Sequence, residues 1–97
     1  MSASAQPESA VQPHVVFAQL GDESILLNTT TGLYFGLDPI GTSIWIRLSE
    51  GANDEQIHAA LLAEYDVDAE VLRSDLRRLL GELRGRGLIS SSTVLSR

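Results

Sequence analysis

The sequence predicts an α+β domain, a three-stranded antiparallel sheet followed by three helices. Three observations carry that prediction. Short runs rich in Val, Ile, Leu, Tyr and Phe lie between residues 14 and 37, and turns that contain glycine separate them. The pair Asp38-Pro39 closes this region, and it combines a strand stop with a helix start. Beyond it the apolar residues recur at helical rather than strand spacing.

Each element follows in order. Residues 1–13 are rich in Ser, Ala, Gln and Pro without a usable period, which predicts a disordered N-terminal arm. Residues 14–20, HVVFAQL, read as the first strand, and Gly21, Asp22 and Glu23 as a tight turn. Residues 24–28, SILLN, form the second strand. A turn from Asn28 to Gly32 leads to the third strand, Leu33, Tyr34, Phe35, Gly36 and Leu37. The connections are too short for a parallel crossover, so the strands form an antiparallel meander. Asp38 is a good N-cap and Pro39 fits the first helical position, where no amide donor is needed. The first helix spans 39–49, with Ile40, Ile44, Trp45 and Leu48 as its apolar stripe and Gly51 near its stop. Asn53, with Gln56 three residues on, opens the second helix as a variant of the capping box. Asp68 caps the third, residues 69–86, whose leucines at 72, 76, 79, 80 and 83 form a broad core-facing stripe. Leu88 and Ile89 pack back as an anchor, and residues 90–97 read as a flexible tail.

Composition narrows the function. The 97 residues suffice for one small domain and 43% of them are apolar, well above a disordered composition. Cysteine is absent, so disulfides, thiolate nucleophiles and cysteine-bound metals are excluded, and the composition fits a cytoplasmic protein. The N-terminus carries no secretory signal, and no apolar run approaches the length of a membrane span. All 7 basic residues are arginines against 13 acidic ones, for a formal charge of −6. Such a field opposes nucleic acid and anionic membranes.

Catalytic and metal readings find little support. His14 and His58 have no ligand-like spacing and read as surface or partly packed side chains. The acidic stretch Asp66, Asp68, Glu70 and Asp75 is explained by helix capping and solvation. The glycines around residues 32–36 lack the Lys-Ser/Thr of a phosphate loop, and no nucleophile elbow is present. No cofactor is called for. Arg73, Arg77, Arg78, Arg84 and Arg86 would suit a DNA-reading helix, but Glu70, Asp75 and Glu82 interleave with them, and Arg78 and Glu82 are spaced to pair at i,i+4. Two further features point to a binding protein. The third strand has no lysine or proline to discourage pairing at its edge. Backbone pairing along such an edge, with pockets for alternate side chains, is an established mode of peptide recognition. The same edge would also allow a homodimer.

The run LLNTTTGLYFGLDPIGTSIWIRLSEG, followed by DEQIHAALLAEYDVDAEVLRSDLRRLLGELRGRGLI, resembles the PqqD-like family. Within it the sequence is most similar to the small stand-alone leader-binding proteins of lasso-peptide biosynthesis. The motifs are the Leu-Tyr-Phe-Gly-Leu-Asp sheet region, Gly-Thr-Ser-Ile-Trp at 41–45, Leu-Ser-Glu-Gly at 48–51, Tyr65-Asp66-Val67, Asp75, and the closing Arg-Gly-Leu-Ile at 86–89. The resemblance covers residues 15–89. It implies a winged helix-turn-helix-like recognition domain, over residues 14–89, for ribosomally made precursor peptides (RiPPs). Such a domain does no chemistry. It takes the leader segment as an added strand against the third strand, beside the third helix, and delivers the precursor to a leader peptidase and then a macrocyclase. Carried onto this chain, the strand partner is Leu33, Tyr34, Phe35, Gly36 and Leu37. The groove wall is drawn from Leu72, Asp75, Leu76, Arg78, Leu79 and Glu82. The alternatives are a winged-helix nucleic-acid-binding regulator and a small scaffold or dimerisation protein, which share much of the architecture.

Overall fold

The structure is a computed structural model that describes residues 11–90. Its elements are β1 (Val15–Leu20), β2 (Glu23–Asn28), β3 (Leu33–Leu37), α1 (Pro39–Ser49), α2 (Asp54–Glu64) and α3 (Ala69–Gly85). The sheet has the order β1-β2-β3 with both pairs antiparallel, so the α+β meander followed by three helices is the observed architecture.

Local chemistry explains the boundaries. Gly21 has φ of 68° and begins a two-residue turn closed by Leu20 opposite Glu23. A glycine first in such a turn gives the type II′ geometry, whose twist matches the strands. Glu23, expected in the turn, is therefore the first residue of β2. The Asp38 side chain accepts from the Gly41 amide at 2.7 Å, and Pro39 stands in the first turn of α1. Gly41 sits in a tight contact: a Cβ there would lie 3.1 Å from Leu37 Cδ2 and 3.1 Å from Asp38 Oδ1. Asn53 and Gln56 form a full capping box on α2, and Asp68 caps α3 through the amides of Glu70 and Val71.

One face of the sheet packs on the helices. Ser24, Leu26 and Asn28 of β2 are buried on that face, in register with Leu37, Phe35 and Leu33 of β3. Trp45, Ile44 and Leu48 from α1, Ile57 and Leu61 from α2, and the leucines at 72, 76, 80 and 83 of α3 complete the core. Each fully buried leucine contributes about 1.5–3 kcal/mol by its removal from water. Ser24 Oγ lies 2.8 Å from Thr42 Oγ1 and ties β2 to α1, whereas Arg47 Nε and Arg84 Nε are buried without a hydrogen-bond partner among the described residues. His58 is only 5% exposed, which corrects the expectation of a surface or partly packed side chain. Its Nε2 lies 3.0 Å from the Ala69 carbonyl, and Arg73 donates towards its Nδ1 at 3.4 Å, so the ring joins α2 to the start of α3.

The sequence places residues 11–13 in the arm. In the structure Val11 bridges Ile89, and the Gln12 amide donates to the Leu88 carbonyl at 3.2 Å. The partners lie at the far end of the chain, where local composition carries no trace of them. The remaining arm and tail, residues 1–10 and 91–97, lie outside the described residues.

Candidate functional site

The hydrogen-bond parity of the sheet decides which β3 groups are free. A two-residue turn makes its closing pair, Leu20 and Glu23, a hydrogen-bonded one. Alternation then bonds Ala18 with Ile25, Val16 with Leu27 and, beyond the strand ends, His14 with Thr29. The Thr29 amide does donate to the His14 carbonyl at 3.0 Å. Since odd-numbered residues of β2 face β1, Ser24, Leu26 and Asn28 bond to β3 through Leu37, Phe35 and Leu33. Tyr34 and Gly36 are left with N–H and C=O groups directed away from the sheet. Because β3 is the last strand, these groups form an unpaired edge among the described residues.

A cavity of about 240 Å³ opens beside this edge, with Leu33, Tyr34 and Phe35 on one side and Gly85, Arg86 and Leu88 on the other. Asn28 and Thr31 complete its lining. The helix side is built by the end of α3. Arg86 is its C-cap and Gly87 follows with φ of 73°. The Leu88 amide donates to the Leu83 carbonyl at 2.9 Å and the Gly87 amide to Arg84 at 3.0 Å, the paired bonds of a Schellman motif. That reversal buries Leu88 and Ile89. Asn28 Nδ2 donates to the Arg86 carbonyl at 3.0 Å, while Asn28 Oδ1 accepts from the amides of Thr30 and Thr31. One buried side chain thereby fixes both the β2–β3 turn and the end of α3. The Arg86 guanidinium lies over the Phe35 ring, 4.9 Å from its centroid, a cation–π contact.

The other expected site residues divide by position. Gly36 continues the free edge and Leu37 is buried at the foot of the strand. Leu72 and Leu76 are in the core, 4% and 3% exposed. Asp75 and Arg78 pair with each other at 3.1 Å, so Arg78 turns to the carboxylate one turn before it rather than to Glu82. Leu79 is half-buried against the core and Glu82 is exposed. Leu79 and Arg86 are seven residues apart and share one face of α3. The site set drawn from the sequence omits Asn28, Arg86 and Leu88. The positive-φ glycine after Arg86 was the signal that could have pointed there.

Electrostatics further distinguish the arginines. Arg73 donates to Glu55 at 3.1 Å, and Arg47 pairs with Glu64. No ion pair is recorded for Arg77, Arg84 or Arg86 with the described residues. A second hollow, about 370 Å³, lies between the β1–β2 turn and α1, lined by Gln19, Asp22, Ser43, Arg47 and Glu50 among others. It is larger but remote from the free edge and holds carboxylates. Among the described residues, no group of three or more His, Asp or Glu side chains could hold a metal, and no helix is long and apolar enough to cross a membrane.

None of the curated proteins matches the chain. The structure of TbiB1 in complex with the TbiA(beta) leader peptide superposes with a TM-score of 0.79 at 42% identity, covering 84% of this chain and 94% of that one. A lasso peptide synthetase B1 complexed with the leader peptide gives a TM-score of 0.73 at 26% identity, covering 80% of this chain and 92% of that one. The family model for coenzyme PQQ synthesis protein D (PqqD) matches residues 23–89, from the second strand to the close of the domain. With well over half of its length so matched, the chain belongs to the PqqD family.

Proposed function

We propose that this protein is a non-catalytic carrier for the leader segment of a ribosomally made precursor peptide. The leader adds as a fourth strand at the open edge of β3 and seats a side chain in the adjoining cavity. The observation that carries the reading is the outward pair of backbone groups at Tyr34 and Gly36, set beside an apolar hollow. The leader complexes of the two structural neighbours support it.

Backbone bonds along the edge supply register, and a buried anchor supplies most of the affinity. That gain offsets the ordering of a segment that is unstructured when free. Bound this way, the leader leaves the rest of the precursor exposed for a leader peptidase and then a macrocyclase, in the cytoplasm. On this reading the leader runs from the cavity along α3 towards Leu79 and Glu82. Leu72 and Leu76 act from beneath it as core, and the Asp75–Arg78 pair lies along its far end.

The test is a fluorescence anisotropy titration with labelled TbiA(beta) leader peptide, with a short DNA duplex as control. Saturable peptide binding and no duplex binding is the expected result. Duplex binding that falls with salt, without peptide binding, would favour a nucleic-acid reader instead. The same open edge would allow two copies to pair about a twofold axis. Sedimentation at high concentration would then show a dimer that added peptide dissociates, whereas a monomer throughout removes the pairing.

A further inference from the structure

The cavity contains one ionic group, and its setting selects a chemistry. Of the polar side chains facing the cavity, Asn28 and Thr31 are committed: Asn28 donates to the Arg86 carbonyl and accepts two amides, and Thr31 Oγ1 accepts from the Leu33 amide at 3.2 Å. The Arg86 guanidinium is different. Its Cζ lies over the Phe35 ring, 4.9 Å from the centroid, a cation–π contact that holds the group at the cavity and leaves its N–H donors to be used. No ion pair with a described residue uses them. Glu82, one turn earlier on the same helix, is exposed and contributes only its backbone carbonyl, to the Arg86 amide. In a chain of net charge −6, a cation so placed is an unfilled acceptor for an anion.

Resting on the leader-binding reading, we infer that Arg86 is a specificity residue that reads a carboxylate of the bound peptide. The remaining walls fix the spacing. An added strand turns alternate side chains to the helix face, so residues i and i+2 of the peptide meet the cavity and its rim. The side chain at one position fills the apolar hollow between Phe35 and Leu88. An aspartate or glutamate two residues away meets the Arg86 fork in a bidentate pair. The preferred peptide therefore carries an apolar residue and an acidic residue separated by one position. Of the other arginines on α3, Arg73 and Arg78 are held by Glu55 and Asp75.

The experiment uses the full chain and two series of peptides built on the TbiA(beta) leader peptide, with each position in turn carrying glutamate in one series and glutamine in the other. One position, two residues from the apolar anchor, should show binding about fivefold tighter for glutamate than for glutamine at low salt. In Arg86→Gln that ratio should fall to about 1. Thermal unfolding of this variant checks the fold, and the bond from Asn28 survives because it is made to the backbone. Peptides that bind without a glutamate preference anywhere, or a preference that persists in Arg86→Gln, overturn the inference and leave the leader reading intact. If no peptide of either series binds, both fall together.

Discussion

Proline at Tyr34 separates the free edge from the rest of the sheet. The parity set by the Gly21-Asp22 turn sends the Tyr34 amide outward and the amides of Phe35 and Leu37 towards β2. Tyr34→Pro therefore removes one donor from the open edge and none from the β2–β3 ladder. Proline is tolerated at such edge positions, and the residue before it, Leu33, already has the extended conformation that proline demands. Tyr34→Ala is the control, since it removes the same side chain and keeps the donor. A lost strand bond is worth about 0.5–1.5 kcal/mol, so affinity for the TbiA(beta) leader peptide should fall about two- to tenfold from Tyr34→Ala to Tyr34→Pro at an unchanged fold. Phe35→Pro, one residue on, cuts a β2–β3 bond and should destabilise the domain by about 1–3 kcal/mol through the unpaired ladder group alone. The assay is anisotropy for binding, with urea unfolding for stability. Equal affinity in Tyr34→Pro and Tyr34→Ala, both folded, would refute strand addition. A Tyr34→Pro variant that unfolds while Phe35→Pro does not would refute the parity itself.

Other substitutions test the supports of the site. Asn28→Ala removes three hydrogen bonds from a side chain only 4% exposed; urea unfolding should show a loss of about 2–3 kcal/mol, together with weaker peptide binding. Leu76→Ala, at 3% exposure, should cost about 2–5 kcal/mol of stability through its cavity. Any weakening of peptide binding there should disappear when measured on the folded fraction. His58→Phe leaves the Ala69 carbonyl without its donor and should lower the urea midpoint by about 1–2 kcal/mol equivalent, with peptide affinity unchanged.

The elements were legible because their signals are local. Asp38-Pro39, Asn53 with Gln56, and Asp68 each carry their own capping chemistry, and each caps its helix in the structure. Glu23 was misplaced because its polarity suggests a turn, whereas it closes the hairpin and its side chain is exposed. The open strand edge of the candidate site was readable for the same local reasons. Its other wall was not. Arg86 and Leu88 reach the β2–β3 turn through Gly87 and through a bond from Asn28, a long-range contact that helical periodicity does not encode. Periodicity instead selects the α3 leucines, and burial shows Leu72 and Leu76 to be core. The choice of Asp75 over Glu82 by Arg78 is likewise decided by geometry between two carboxylates that sequence spacing leaves equivalent.

Amide hydrogen exchange of β3 with and without the TbiA(beta) leader peptide tests the central claim most directly. In the free protein the amides of Phe35 and Leu37 should be protected and those of Tyr34 and Gly36 should exchange fast. Saturating peptide should slow Tyr34 and Gly36 selectively, as a fourth strand occupies the edge. Peptide binding that leaves these two amides exchanging as fast as before would place the leader elsewhere and contradict the account.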